Sequence, residues 1–568
     1  MKKFNIDITR FQTGILVGLL SVTPLLFSSS YDLIYELPKI TFVKVLISLL
    51  IILELVRTIQ SFLSTSTITV PMPQNKSMRI LISCSVISLF WLSITTIFSS
   101  NTITSIWGNY DKRFGLVMIL YLVSLAVLSA KIIRADASAF FKLLSYTLPI
   151  TITINFVFSY GQLFRGFLDL NLTEGRAVGT FGQSNFLAGY MLMCIPLLLF
   201  FSFSSKRLAL RLYYGLLALF GGICVVWAGS RLGYIFLILE VAATCLYGIF
   251  RLKKGVLRII LISFISILAV VSSVGFIIYN SRFSEFGIID QTRKEIWHAS
   301  IDAIIDNPIF GYGLDTQGYS IPTYMYKNGI STPVAVDRAH NEYLDSALVT
   351  GIVGAGLVFF CMIVMVYMFW GHKRTTLPGY KHAVILPIVS ILVLFLLRSL
   401  VHLNGIVHYT LFSIMIGAGL AHVDPRIKRT RLISLKSKIL VMIMFIGVLG
   451  FTLWGGQYAF SELKANSYYR EYSATQDADF LRLAIEHDPW QVRYRIEFLG
   501  VQLGRKIKPD FETVLPELFQ NQSRSYSQQY YYSGLYYEFT GNEKAASEYY
   551  KKAYEIEPVR DLYRFENE

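Results

Sequence analysis

Charge is scarce in this sequence. Only 16% of the 568 residues are Asp, Glu, Lys or Arg, whereas 54% are hydrophobic. That balance excludes a soluble protein of this length and fits an all-α polytopic membrane protein. Cysteine is equally sparse. Cys84, Cys194, Cys224, Cys245 and Cys361 all lie in apolar runs, none at zinc-ligand or redox spacing, so no disulfide framework is expected. A Gly-x-Ser-x-Gly elbow is missing, which removes a serine-hydrolase reading. So is any His-x3-His or His/Cys cluster, and therefore neither a metal nor a cofactor is expected, although Asp337, Glu342 and Asp345 surround His340. No internal inverted repeat is evident, which disfavours a transporter.

What is present begins with long apolar segments. Those of spanning length lie near 11–28, 38–56, 80–98, 114–130, 143–160, 186–204, 212–228, 232–250, 259–279, 346–370, 383–400, 408–422 and 439–456, about 13 spans in all. The segments at 408–422, which is short, and 186–204, which contains Pro196, are the places where a half-helix or re-entrant segment would hide. The 41 Phe and 35 Tyr suit anchoring at a membrane interface. Residues 1–456 hold 38 Lys+Arg and 19 Asp+Glu, a net +19, while 457–568 hold 14 and 18, a net −4. The basic excess thus belongs to the apolar part and speaks for membrane orientation rather than nucleic-acid binding. Basic residues recur in alternate loops, among them Arg57, Lys76 and Arg79, then Lys131, Arg134 and Lys142, then Lys206, Arg207 and Arg211. With those loops inside, the N-terminus is cytoplasmic, and an odd number of spans puts the C-terminal part outside the cytoplasmic membrane. No cleavable signal is expected, since the first span has no small-residue cleavage site.

Residues 1–456 are therefore read as the transmembrane domain, with a large outer loop at about 280–345, and 457–568 as a helical extracytoplasmic domain. In the latter, Gly534, Tyr537, Ala546, Tyr550, Ala553 and Pro558 match the small and large positions of a tetratricopeptide-like repeat of about 34 residues. The run 481–489 resembles the end of another. Small residues let antiparallel helices approach closely. Such a tail serves either as a shelf for an envelope protein or glycan, or as a helical cap packed on the outer loops.

Four polar clusters fall on the outer side of this topology: 107–115, 174–185, 228–233 and the long loop. In that loop Trp297, Ile301, Ile304 and Ile305 recur at helical spacing, which predicts an amphipathic helix that the Asn307-Pro308 step ends. Arginine grips phosphate bidentately and stays charged at any pH. Arg176, Arg231, Arg293 and Arg398 all lie on this side, and several of them beside a histidine are less easily explained by snorkelling than one would be. Arg398, which is followed by His402 and then His408, could face the same cavity. Lys44, near the outer end of the second span, reads as a snorkeller. His340, where the long loop re-enters the membrane, is a candidate proton acceptor or a helix cap.

Taken in order, Arg176 to Ala188, Gly229-Ser230-Arg231-Leu232-Gly233, Arg293 with Trp297, Asn307-Pro308-Ile309-Phe310-Gly311-Tyr312-Gly313, and His340-Asn341-Glu342-Tyr343-Leu344 followed by Gly351-Ile352-Val353-Gly354 resemble the O-antigen ligase/polymerase superfamily of polytopic glycosyltransferases over about residues 100–420. The resemblance implies a donor, a glycan on undecaprenyl pyrophosphate, and its transfer with inversion to an acceptor hydroxyl on the outer face of the cytoplasmic membrane. It implies that Arg231 and Arg293 hold the pyrophosphate, that His340 acts as base, and that Arg176 is a further contact. Arg398, Asn341 and Arg113 are supporting candidates. Members that act on a lipid A core glycolipid, on protein serine or on a growing glycan chain look alike at these residues, so ligase, polymerase and protein oligosaccharyltransferase stay open. A flippase or exporter is the alternative from another class. It would need coupling acids within the spans, for which Glu54 and Glu240 are the candidates.

Overall fold

In the computed structural model of the chain, the residues described are 2–65, 75–165, 175–250, 291–330, 336–371, 384–423, 438–504 and 527–556, with isolated positions between 260 and 267. They form no β-strand. The helices α1 (Lys2–Ser21), α2 (Glu36–Thr65), α3 (Lys76–Ile97), the short α4 (Thr102–Trp107), α5 (Leu116–Ala135), α6 (Ala137–Arg165), α7 (Ser184–Ser204), α8 (Leu208–Trp227) and α9 (Arg231–Phe250) come first. After them stand α10 (Gln291–Asp306), α11 (Gln317–Lys327), α12 (Glu342–Gly371), α13 (Ile385–Arg398), α14 (Ile406–Val423) and the long α15 (Lys438–Thr475). The chain continues into α16 (Ala478–His487), α17 (Val492–Gly504), α18 (Ser527–Phe539) and α19 (Glu543–Ile556).

Every expected span falls on a helix except 259–279, which lies almost wholly outside the described residues. Among the described residues nine helices are long and apolar enough to cross a membrane, and the protein is a multi-pass membrane protein. Pro196 does not divide α7, and α14 runs unbroken for 18 residues, about 27 Å at 1.5 Å per residue. Neither is a half-helix. The expected span at 383–400 is the short one, a helix of 14 residues. Helices α7 and α14 are the most enclosed of the spans, and the main core is built around them from Leu187, Met191, Leu198, Ile414 and Ala418.

The break in the bundle lies in α12, at a position the hydrophobic pattern does not mark. Gly351 has φ +69°, and a Cβ there would lie 1.8 Å from the Ile309 carbonyl oxygen. Only glycine permits that backbone and that approach. The helix carbonyls of Leu348 and Val349, freed by the break, accept the N–H groups of Tyr312 (2.9 Å) and Gly313 (3.0 Å), and Ile352 N–H donates to Pro308 O (2.8 Å). The Asn307–Gly313 segment is thereby locked into the side of α12 just beyond the helix end that follows His340.

The long loop contains the expected helix as α10, and its buried face is made largely of small residues. Ile296, Ala299, Ser300 and Ala303 are buried, Trp297 and Ile304 lie at the margin, and Ile301 and Ile305 are exposed. Small residues at 299, 300 and 303 let α10 pack closely on α11 and α12, and the β-branched stripe is turned outward.

The boundary expected at 456 falls inside α15, which carries the chain from apolar span to polar tail as one helix. Lys44 is a correction to the snorkelling reading. It is buried, and its Nζ lies 2.7 Å from Glu462 Oε2 on α15. Arg113 is also buried, 2.7 Å from Asp488 Oδ2 and 3.6 Å from Glu462 Oε1. Tyr110 donates to Asp32 (2.7 Å) and packs edge-on against Tyr469 and Tyr494. The first part of the tail is thus a cap seated on the 29–35 and 107–114 loops. Further along, α18 and α19 pair closely because Gly534 leaves room for the Tyr550 ring, while Ala546, Tyr550 and Ala553 are buried. Pro558 lies outside the described residues.

Candidate functional site

The polar clusters that lie apart in the sequence between residues 107 and 345 meet at one end of the bundle. Asp315 Oδ2 accepts the N–H groups of Asn109 (2.7 Å) and Phe114 (3.0 Å), joining the first cluster to the long loop. Ala177 N–H donates to Trp227 O and Arg176 Nε donates to Ala228 O, both at 3.0 Å, joining the second to the third. Arg176 therefore lies across the turn at Gly229 (φ +60°) that leads into Arg231, the first residue of α9.

His340 sits on a braced strap. Its φ of +54° is a left-handed conformation that costs a non-glycine residue about 1–3 kcal/mol and persists only where the surroundings hold it. They do so on both sides of the peptide before it. Ala339 N–H donates to Asp345 Oδ1 (3.0 Å), and Ala339 O accepts the Trp297 indole N–H (2.8 Å). Arg338 forms a buried ion pair with Asp315 (2.7 Å). Asn341 is the cap of α12: its Oδ1 accepts from the N–H groups of Tyr343 (3.0 Å) and Leu344 (3.2 Å). The side chain of Asn341 is thus engaged in starting the helix, and the imidazole of His340, half-buried, is the group the strap presents.

A second loop, 399–405 between α13 and α14, closes against this strap. Glu342 N–H donates to Ser399 O (2.9 Å), and the Glu342 carboxylate accepts from Asn404 N–H (2.9 Å) and the Tyr409 hydroxyl (2.7 Å). Arg293 NH1 reaches Val401 O (3.4 Å) from the first turn of α10. Arg398 is buried and holds the loop from beneath, with bonds to Asn404 Oδ1 (2.5 Å), Asn185 O (2.8 Å) and Leu403 O (3.2 Å). Its guanidinium organises backbone rather than standing open to a ligand. Arg113 likewise belongs to the tail contact described above, where its charge is met by Asp488 and Glu462.

His402, in the same loop, ties the group together. It is 7% exposed, and its Nε2 is sealed from solvent without a hydrogen-bond partner among the described residues. Burial, and after it the charges of Arg398, Arg293, His340 and Arg176, hold its imidazole well below the ordinary histidine range, so the ring is neutral. The charges of four side chains singled out from the sequence therefore act on one buried imidazole. Arg231 stands at the neighbouring Gly229 turn. The brace residues Asp315 and Arg338 carry no signal in the sequence, because each works through a fold-dependent contact, whereas Glu342 lies in the segment that carries the resemblance.

The guanidinium of Arg398 fits only because residue 189 of α7 is glycine. A Cβ there would lie 2.0 Å from Arg398 Cζ. Gly189→Leu is expected to displace Arg398, loosen the 399–405 loop and lower stability by about 1–3 kcal/mol. An apparent melting temperature in detergent equal to that of the wild type would contradict this packing.

These features define a polytopic helical membrane protein with cationic side chains and a histidine gathered at one end. A family model described as O-Antigen ligase matches residues 215–359, and the chain carries an O-antigen ligase domain there. That match supports a glycosyltransferase of the ligase or polymerase kind acting on lipid-linked glycans. It takes in Arg231, Arg293 and His340, while Arg176, Arg398 and His402 lie outside it. No curated protein matches the chain.

Proposed function

We propose that the protein transfers a glycan from undecaprenyl pyrophosphate to an acceptor hydroxyl at the outer face of the cytoplasmic membrane. The observation that carries this reading is the meeting of Arg293 and the His340 strap at the 399–405 loop, through Arg293 to Val401 O and Glu342 N–H to Ser399 O, within a chain that holds an O-antigen ligase domain. The acceptor oxygen attacks the anomeric carbon opposite the leaving group, which inverts that centre. The C1–O bond to phosphate breaks, and its electron pair leaves on the lipid pyrophosphate. The hydroxyl proton passes to His340. Arg231 and Arg293, with Arg176, hold the pyrophosphate and stabilise the charge that grows on it. Guanidinium groups supply that charge without a divalent ion, so transfer is metal-independent. The N-terminus is cytoplasmic and the tail lies outside.

The ligase reading is preferred to the flippase reading because Glu54 is already neutralised. It pairs with Lys131 and Arg57 and accepts from Gln12. Glu240 offers no such contrast, since its carboxyl oxygens are buried without a hydrogen-bond partner among the described residues. Purified protein in detergent settles the choice. Glycan transfer from a defined polyprenyl-pyrophosphate donor to a hydroxyl acceptor is expected, with the rate unchanged by EDTA. No transfer to any acceptor would remove the transferase reading, and a loss in EDTA that added metal restores would remove metal independence.

A further inference from the structure

We propose that Lys112 and Asp337 form a glycan-binding subsite beside His340, which holds a sugar hydroxyl of a substrate between ammonium and carboxylate. The inference rests on the transferase reading above and adds to it a contact to the saccharide rather than to the pyrophosphate.

Three observations carry it. First, the pair is open. Lys112 Nζ stands 3.9 Å from Asp337 Oδ2, beyond hydrogen-bond range, and neither charged group has a hydrogen bond among the described residues. The Lys112 side chain is 22% exposed and that of Asp337 34%, so a ligand can reach both. The ammonium also lies 5.6 Å from the centroid of the buried Phe186 ring, a weak contact that leaves its N–H groups unused. Second, the gap is set by the scaffold and lies next to the proposed base. Asp315 Oδ1 pairs with Arg338 (2.7 Å), the neighbour of Asp337, while its Oδ2 accepts the N–H groups of Asn109 and Phe114, which bracket Lys112. One carboxylate therefore fixes both sides of the pair. Three residues of chain span at most about 10 Å, so a sugar seated at Asp337 is within reach of His340. Third, the chemistry selects a hydroxyl. The carboxylate repels a phosphate, and the ammonium repels a cation. A sugar hydroxyl both accepts and donates, so one oxygen about 2.8 Å from each atom satisfies the two together. Glu36 borders the same ring. A Cβ on Gly405 would lie 3.0 Å from both Glu36 Oε1 and Phe186 Cε2, and the half-buried Glu36 carboxylate has no hydrogen bond among the described residues, which leaves an acceptor for a further hydroxyl.

The experiment compares wild type with Lys112→Met and Asp337→Leu, which remove the polar ends, and with Asp337→Asn, which keeps an acceptor. Calorimetry in detergent measures binding of the glycan-bearing donor, of polyprenyl pyrophosphate without glycan, and of the acceptor. Lys112→Met and Asp337→Leu are each expected to weaken one glycan-bearing substrate by about 10- to 100-fold, the scale of a hydrogen bond to a charged group. Asp337→Asn is expected to fall between them and wild type. Binding of the glycan-free carrier lipid and the melting temperature should not move, because an ion pair this exposed adds little to stability. A loss confined to the donor puts the donor's sugar in the subsite, and one confined to the acceptor puts the acceptor's sugar there. Unchanged binding of both substrates in Lys112→Met, an effect in only one of the two variants, an equal loss for the glycan-free lipid, or a lowered melting temperature in both variants would each overturn the assignment. If wild type binds the donor yet transfers nothing, the transferase reading falls, and the binding comparison still decides the role of the pair.

Discussion

His340→Asn is expected to lower transfer by about 10²- to 10⁴-fold, the range a positioned general base contributes. The choice of asparagine separates chemistry from folding. At φ +54° the backbone is in the left-handed region, which asparagine tolerates better than histidine does. Its short amide has no basic nitrogen. The variant should therefore insert and melt at least as well as wild type while losing its rate. Donor binding should change little, because the base acts on the acceptor. Wild-type rates in this variant would remove His340 from the reaction. A matching loss of thermal stability would mean that the imidazole serves the strap and not the substrate.

Arg113→Ala is expected to detach the tail. The guanidinium is buried between Asp488 and Glu462, and removing one member of a buried ion pair costs about 3–5 kcal/mol because the remaining charges are left uncompensated. Glu462 keeps Lys44 as a partner, so Asp488 bears most of the loss, with the Tyr458 hydroxyl as its remaining side-chain contact. The measurement is limited proteolysis in detergent, with cleavage between α15 and α17 as the readout. Accelerated cleavage there, with the spans still protected, is the expected result. Cleavage at the wild-type rate would show that the tyrosine cluster around Tyr110 and Tyr494 seats the tail without the ion pair. Asp488→Asn should have a milder effect, since it keeps an acceptor for Arg113 while removing the charge.

The spans were legible because the physics behind them is local. A run of apolar residues long enough to cross the lipid must be helical, whatever its neighbours are. The gathering of polar clusters at one end was legible for a related reason: charged loops alternate, so the parity of the spans assigns each loop to an end. The site was legible in part. Arg176, Arg293 and His340 could be singled out because ionisable groups beside lipid are rare, whereas the break at Gly351 looked like one small residue among many. The α10 stripe gave the helix but not the face that packs on the bundle. Its apolar residues Ile301 and Ile305 face outward, and its small residues face the core.

Lys44 and Arg113 show where reading by sequence stops. Each is a basic residue near the outer end of an apolar span, and in the chain alone each looks like a charge reaching for water or phosphate. Their partners, Glu462 and Asp488, lie more than three hundred residues away on helices that pack back onto the bundle. Composition and periodicity by themselves determined a helical protein that crosses the membrane many times, with its polar clusters at one end. Tertiary structure alone decided which arginines are bound up in the scaffold and what braces His340. A charge is read from one residue, but its role depends on the group that meets it, and that meeting is made by packing.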